Sequence, residues 1–192
     1  ASCLVGSEMC IRDRIFCSGK ADEHFVHIFQ KLYEDNGEVF GTRASRHQYE
    51  LVKDLLPGVE YDDLSHIIKI EKKHKEHIGK IAVCTAGTAD IPVAEEAALT
   101  AEVLGNHVIR LYDVGVAGLH RLLSNMELLS KANAIIAVAG MEGALASVIG
   151  GLTDCPVIGV PTSVGYGASF GGISALLSML NSVSYTHLTL PT

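Results

Sequence analysis

The chain has 192 residues, 48% of them hydrophobic, with 15 Lys and Arg against 22 Asp and Glu and a formal net charge of −7. That acidic balance argues against nucleic acid as the main partner, and no apolar run reaches the roughly 18 residues of a membrane span. The length suits one sizeable domain with a smaller attachment.

The two ends differ from the rest. Met9-Cys10-Ile11-Arg12-Asp13 can be encoded ATG TGT ATA AGA GAC, whose reverse complement reads Val-Ser-Tyr-Thr-His, the residues Val183 to His187. Two ends of one natural protein have no physical reason to be antisense copies, whereas an adapter joined to both ends of a DNA fragment gives this pattern. Residues 1–14 and 183–192 are therefore expected to be adapter-derived, with the natural gene cut at both ends, and they are set aside from the fold. Cys3 and Cys10 go with them. Cys17, Cys84 and Cys155 remain, widely spaced and without a CxxC pattern, so they read as reduced thiols of a cytoplasmic protein rather than as disulfides or zinc ligands.

Residues 15–70 form a small α/β lobe. Phe25, Ile28, Phe29 and Leu32 recur at helical spacing within Lys20 to Glu34, and Asn36-Gly37 stops that helix. A strand-like piece follows at Val39 to Arg43. Ser45 can cap a second helix running through Leu56 to Pro57-Gly58, and His66 to Ile70 reads as a strand. The charged stretch 71–79, with His74 and His77, reads as a solvated linker.

From Lys80 onward strands and helices alternate: strands at 81–84, 107–112, 134–139 and 157–160, helices at 92–104, 117–130, 142–150 and 169–181. Ala134 to Ala139 and Val157 to Val160 are apolar on both faces, as strands covered by helices must be. Four β-α units in a row predict a three-layer α/β/α sandwich with a parallel sheet. Ligands of such sheets bind beyond the carboxyl ends of the strands, which places the chemistry in TAGTAD (85–90), DVGVAGLHR (113–121), AGMEG (139–143) and PTSVGYGASFGG (161–172). Asp90 is either the N-cap of its helix, with Pro92 in the first turn, or part of an anion site. His120 either packs as the first inward residue of its helix or moves protons beside Arg121, which can grip phosphate or carboxylate. Glu142 is either a helix-start charge or a metal ligand or general base. The glycines of 161–172 let backbone amides approach a ligand and let the loop close over it. No GxGxxG or Walker pattern is present.

At these residues the sequence resembles a known family. AVCTAGTADIPVAEEAA, DVGVAGLHRL, AVAGMEGALASVIGGL and PVIGVPTSVGYGASFGGISALLSMLNS look like the nickel-pincer cofactor biosynthesis carboxylase, the LarB family, and FCSGK (16–20) and GTRAS (41–45) resemble its N-terminal region. The C-terminal half is similar in turn to the PurE-like carboxylases and mutases that act on aminoimidazole ribonucleotide, a flavodoxin-like fold.

The resemblance implies an enzyme that adds carbon dioxide to C5 of the pyridinium ring of nicotinic acid adenine dinucleotide and cleaves its phosphoanhydride to the biscarboxylated mononucleotide and AMP. A cysteine thiolate adds at C4 to make the electron-poor ring nucleophilic, a base removes the C5 proton after carbon dioxide has added, and the thiolate then leaves. The carry-over gives catalytic roles to Glu142, Asp90 and His120. It gives substrate-binding roles to Thr85, Gly87, Thr88, Arg121, Gly140, Met141, Gly143, Pro161, Ser163, Gly165 and Gly171. Mg²⁺ on Glu142 would assist the anhydride cleavage. The family's cysteine follows directly on Met179-Leu180-Asn181-Ser182, where this chain has Val183, so the polypeptide as written is expected to fold in large part and not to carboxylate. A homo-oligomer built of dimers, up to an octamer, is implied, with helices 92–104 and 169–181 at close contacts and with neither nucleic acid nor membrane as partner. The alternatives are an aminoimidazole ribonucleotide carboxylase or mutase, using His120 and needing no cysteine, and a nucleotide-binding module without turnover.

Overall fold

In a computed structural model the chain divides into two compact units, residues 1–75 and 76–192. The structure describes residues 10–11, 14–71, 76–182 and 187–188, the outermost pairs by their backbone alone. Cys3, His74, Val183 and most of both terminal segments read as adapter lie outside the described residues.

The first unit comprises β1 (Cys10–Ile11), β2 (Arg14–Phe16), α1 (Asp22–Asn36), β3 (Val39–Thr42), α2 (Arg46–Val52), β4 (Glu60–Asp62) and β5 (Ile67–Ile70). Its sheet runs β1-β2-β3-β5-β4, with β2 and β3 parallel and the other pairs antiparallel. The helical spacing of Phe25 and Phe29 puts both rings, 5.5 Å apart, into a core with Ile15, Val39, Val52 and Ile68. Gly37 ends α1 in the left-handed conformation, φ 68°, and its N–H bonds back to the Tyr33 carbonyl at 2.7 Å. Ser45 caps α2 as expected: its Oγ accepts from the Gln48 N–H at 3.1 Å while Gln48 Oε1 accepts from the Ser45 N–H at 2.9 Å. The buried Gln48 also donates Nε2 to the Cys17 carbonyl at 3.0 Å, joining α2 to the end of β2. Ser45→Ala is expected to lower the stability of this unit by about 1 kcal/mol, read as a shift in urea midpoint.

Two expectations are corrected in this unit. The helix expected through Leu56 stops at Val52, and the chain turns ahead of Pro57, whose ring disfavours helix in the residue before it. The polar strand Glu60–Asp62 was not expected, because an edge strand without apolar alternation gives no period-2 signal.

The second unit comprises β6 (Gly79–Thr85), α3 (Ile91–Val103), β7 (Asn106–Leu111), α4 (Leu119–Leu123), α5 (Met126–Leu129), β8 (Ala134–Ala139), α6 (Ala144–Leu152), β9 (Val157–Pro161), α7 (Ile173–Asn181) and β10 (His187–Leu188), with 3-10 turns at Thr88–Asp90, Val116–Gly118 and Gly167–Gly172. The sheet is wholly parallel in the order β10-β9-β8-β6-β7. One face, through Val83, Val138 and Val160, packs on Ala94 and Ala98 of α3. The other, through Ala82, Cys84, Ile135 and Ala137, packs on Leu122, Leu129, Leu145, Ile149 and Met179. Burial on both faces explains the uninterrupted apolar strands, and three layers result. The order places a topological switch point between β6 and β8, where the connections leave in opposite directions and open a crevice at the carboxyl edge.

The helix expected over 117–130 is broken. Ser124 Oγ and Asn125 Nδ2 both donate to the Arg121 carbonyl, at 2.9 and 2.8 Å, and end α4 there. No helix among the described residues is long and apolar enough to cross a membrane.

Candidate functional site

The crevice between the ends of β6 and β8 is built from four loops that hydrogen-bond one another. Thr85, fully buried at the last position of β6, accepts the Asp113 N–H on its Oγ1 at 3.0 Å, and its carbonyl accepts the Val114 N–H at 2.9 Å. Those two bonds fasten the loop after β7 to β6. Asp113 is thereby held at φ 58°, the left-handed region, and its carboxylate receives Arg121 Nη2 at 3.2 Å. Gly115 packs against Ala86, where a Cβ would stand 2.4 Å from the carbonyl oxygen.

Asp90 is the buried charge of the site, 3% exposed. Its Oδ1 accepts the Thr162 hydroxyl at 2.7 Å and its Oδ2 accepts the Gly87 N–H at 3.2 Å. The side chain makes no capping bond to α3, so the reading of Asp90 as a helix cap alone is overturned: its carboxylate turns back onto the loop and across to β9. Burial pushes its carboxyl above the usual carboxylate range, and the two hydrogen bonds oppose that shift.

Gly140 and Gly143, both buried, and Met141 form the turn after β8. The Met141 N–H donates to the Val164 carbonyl at 2.9 Å, and the Thr162 N–H donates to the Ala139 carbonyl at 3.1 Å. Met141 and Gly143 are left-handed, at φ 54° and 64°. Alpha-helix α6 begins only at Ala144, so Glu142 stands in the turn before it, exposed and without a hydrogen bond or ion pair among the described residues. Pro161 is buried at the end of β9, while Thr88, Ser163, Gly165 and Gly171 line the exposed side of the loops and Gly87 is half-buried.

His120 and Arg121 are exposed on α4, and the inward residue there is Leu122, fully buried. The packing role weighed for His120 therefore falls to Leu122. None of the three described cysteines outside the terminal segments offers a nucleophile at this edge. Cys84 is fully buried, its thiol pushed up to about 12 by burial. Cys155 precedes β9, at the opposite end of the sheet, and Cys17 is buried in the first unit. Sequence reasoning had not assigned roles to Thr162 and Asp113, which fix Asp90 and Arg121. Their only signal is a polar residue one or two places beyond the end of a strand. Among the described residues no group of three or more His, Cys, Asp or Glu converges as a metal cage. Mg²⁺ is commonly held by one or two carboxylates together with substrate phosphates and water, and the free, exposed Glu142 fits that manner of binding.

A family model described as AIR carboxylase matches residues 80–187, and one described as a LarB/PurE-like N-terminal domain matches residues 13–75. An uncharacterized protein of Methanocaldococcus jannaschii is 41% identical over 184 residues, covering 88% of this chain and 69% of that protein. The N5-carboxyaminoimidazole ribonucleotide mutase of the same organism is 34% identical over 101 residues, covering 51% of this chain and 59% of the mutase.

Proposed function

The chain belongs to the LarB family, with a PurE-like AIR carboxylase half, and from that premise we propose that it serves to carboxylate the pyridinium ring of nicotinic acid adenine dinucleotide and to hydrolyse its phosphoanhydride. The reading rests most on the buried Asp90, bonded to Thr162 and Gly87 at the β6/β8 switch point of an AIR carboxylase-type domain. A buried carboxyl raised above its usual range is suited to hold or pass a proton, here the one lost from C5. Arg121, kept in place by Asp113, presents a guanidinium to phosphate or carboxylate. A divalent cation, when bound, would draw charge from the anhydride, with Glu142 as the protein ligand. The ring-activating thiol belongs directly after Ser182. The buried Cys84 stays protonated at neutral pH and cannot replace it.

The test is mass spectrometry of nucleotides after incubation with dinucleotide, bicarbonate and Mg²⁺. The protein to use carries Val183→Cys, at the position where the resemblance puts the family's cysteine. AMP together with a mononucleotide heavier by one carbon dioxide is expected. An untouched dinucleotide with turnover of aminoimidazole ribonucleotide would favour the second reading, which the resemblance to the mutase and the exposed His120 support. Arg121→Ala is expected to change stability by less than about 0.5 kcal/mol, because the pair with Asp113 is solvated on both sides. Its dinucleotide affinity should fall by about tenfold or more, measured by equilibrium dialysis.

A further inference from the structure

The loop between β9 and α7 carries two aromatic side chains that the fold leaves bare. Tyr166 is 82% exposed and Phe170 is 72% exposed, whereas the other large exposed apolar side chains among the described residues are aliphatic. Both stand at the carboxyl edge of the sheet, a few residues beyond Thr162 and its bond to Asp90. The loop is anchored near its ends. Val164 accepts the Met141 N–H, and a Cβ on Gly172 would meet the Thr162 carbonyl oxygen at 2.6 Å. Between those anchors Gly167 and Gly171, both at φ 64°, have open space where a Cβ would be. Phe170 itself is held at φ 47°, an unfavourable region for a bulky residue, yet its ring gains almost no burial in return.

An exposed ring on a strained backbone contributes little to folding, and a loop that starts at the Thr162 bond to the buried carboxyl suits a flat ligand. We propose that Tyr166 and Phe170 are the ring-binding side chains of this site, closing on the pyridinium of the substrate. This rests on the dinucleotide reading above. A pyridinium is cationic and electron-poor, so the negative faces of phenol and phenyl attract it, and the stack excludes water from the reacting carbon. The adenine end of the dinucleotide carries no such charge and gains less from the pair.

The chain contains no tryptophan, so Phe170→Trp and Tyr166→Trp each introduce a single indole at the place in question. Each is titrated with nicotinic acid mononucleotide and, separately, with AMP while indole emission is followed. Equilibrium dialysis of the unaltered chain runs in parallel, and circular dichroism checks the fold. Saturable quenching by the pyridinium nucleotide, little by AMP, and about tenfold weaker mononucleotide binding by the Tyr166→Ala/Phe170→Ala double variant are expected. If the mononucleotide binds by dialysis but emission is unmoved and the double variant binds equally well, the proposal is wrong while the dinucleotide reading stands. If the mononucleotide does not bind the unaltered chain, the proposal falls, while the dinucleotide reading stands or falls on its own mass-spectrometric test. Loss of a self-associated state in sedimentation, with nucleotide affinity unchanged, would make the pair a contact between copies of the chain and overturn the proposal.

Discussion

Gly140→Ala is expected to cost the second unit about 3 kcal/mol and to abolish nucleotide binding. A Cβ at this position would lie 2.1 Å from the Val164 carbonyl oxygen and 2.7 Å from Thr162 Oγ1. The first obstacle is backbone and cannot rotate away. Relief requires the segment after β9 to move outward, which breaks the bond from the Met141 N–H to Val164 and pulls Thr162 from Asp90. Overpacking of this kind typically costs about 1 to 3 kcal/mol, and the loss of a buried hydrogen bond adds about 1. Urea denaturation should show a lower midpoint at unchanged slope, and dialysis should show no bound dinucleotide. Ser163→Ala, on the exposed side of the same loop, serves as control and should stay within about 0.5 kcal/mol of the parent. An alanine variant at 140 that matched the parent in both measurements would show that the two loops are not in contact.

Asp90→Asn is expected to remove a pH dependence and most of the activity together. Burial raises the folded-state carboxyl above its ordinary value of 3.8, so the native protein holds that proton to higher pH than the unfolded chain does. The resulting stability is complete below the ordinary value and is lost as pH rises through the raised one. An amide does not titrate. Thermal melts from about pH 3 to about pH 7 should therefore show the parent's advantage over the variant shrinking as pH rises. A difference independent of pH would mean that Asp90 titrates alike in both states. At neutral pH carboxylation by the cysteine-bearing protein should fall by about 10² to 10⁴, the usual contribution of a positioned acid or base. Asp90→Ala should be worse for folding, because the Thr162 hydroxyl and Gly87 N–H lose their acceptor inside the protein, at about 1 to 3 kcal/mol.

The second unit was legible because its strands are covered on both sides. Ala134 to Ala139 is apolar at every position, and the sequence boundaries at all four major strands fall within about two residues of those observed. Helix ends were harder, since they depend on single side chains. Ser124 and Asn125 turn back on Arg121 and split one expected helix into two, and a left-handed Gly143 delays α6 so that Glu142 lies outside it. The first unit hid β2 and β4, the one beginning among residues set aside as foreign and the other polar throughout. Within the site, loop membership could be read from strand ends. Which of the loop residues is buried could not. Asp90 and Glu142 look alike as acids beside small residues, yet one is sealed beneath Thr162 and the other stands in solvent. That difference arises from a partner 72 positions away in the chain, which no local pattern records.

Because every pairing in the second unit is parallel, none can close as a hairpin, and each must await a whole strand–helix–strand segment. During synthesis β6 first gains β7 on one flank. Its other flank, the one that finally receives β8, stays open while α4 and α5 are still being made. That open flank carries Ile81, Ala82 and Val83, an apolar edge able to pair with a neighbouring nascent chain. Slow, non-local pairing of this kind favours association between newly made chains until β8 is seated. The arrangement that opens a crevice for chemistry in the finished protein thus also sets the most exposed moment of its assembly.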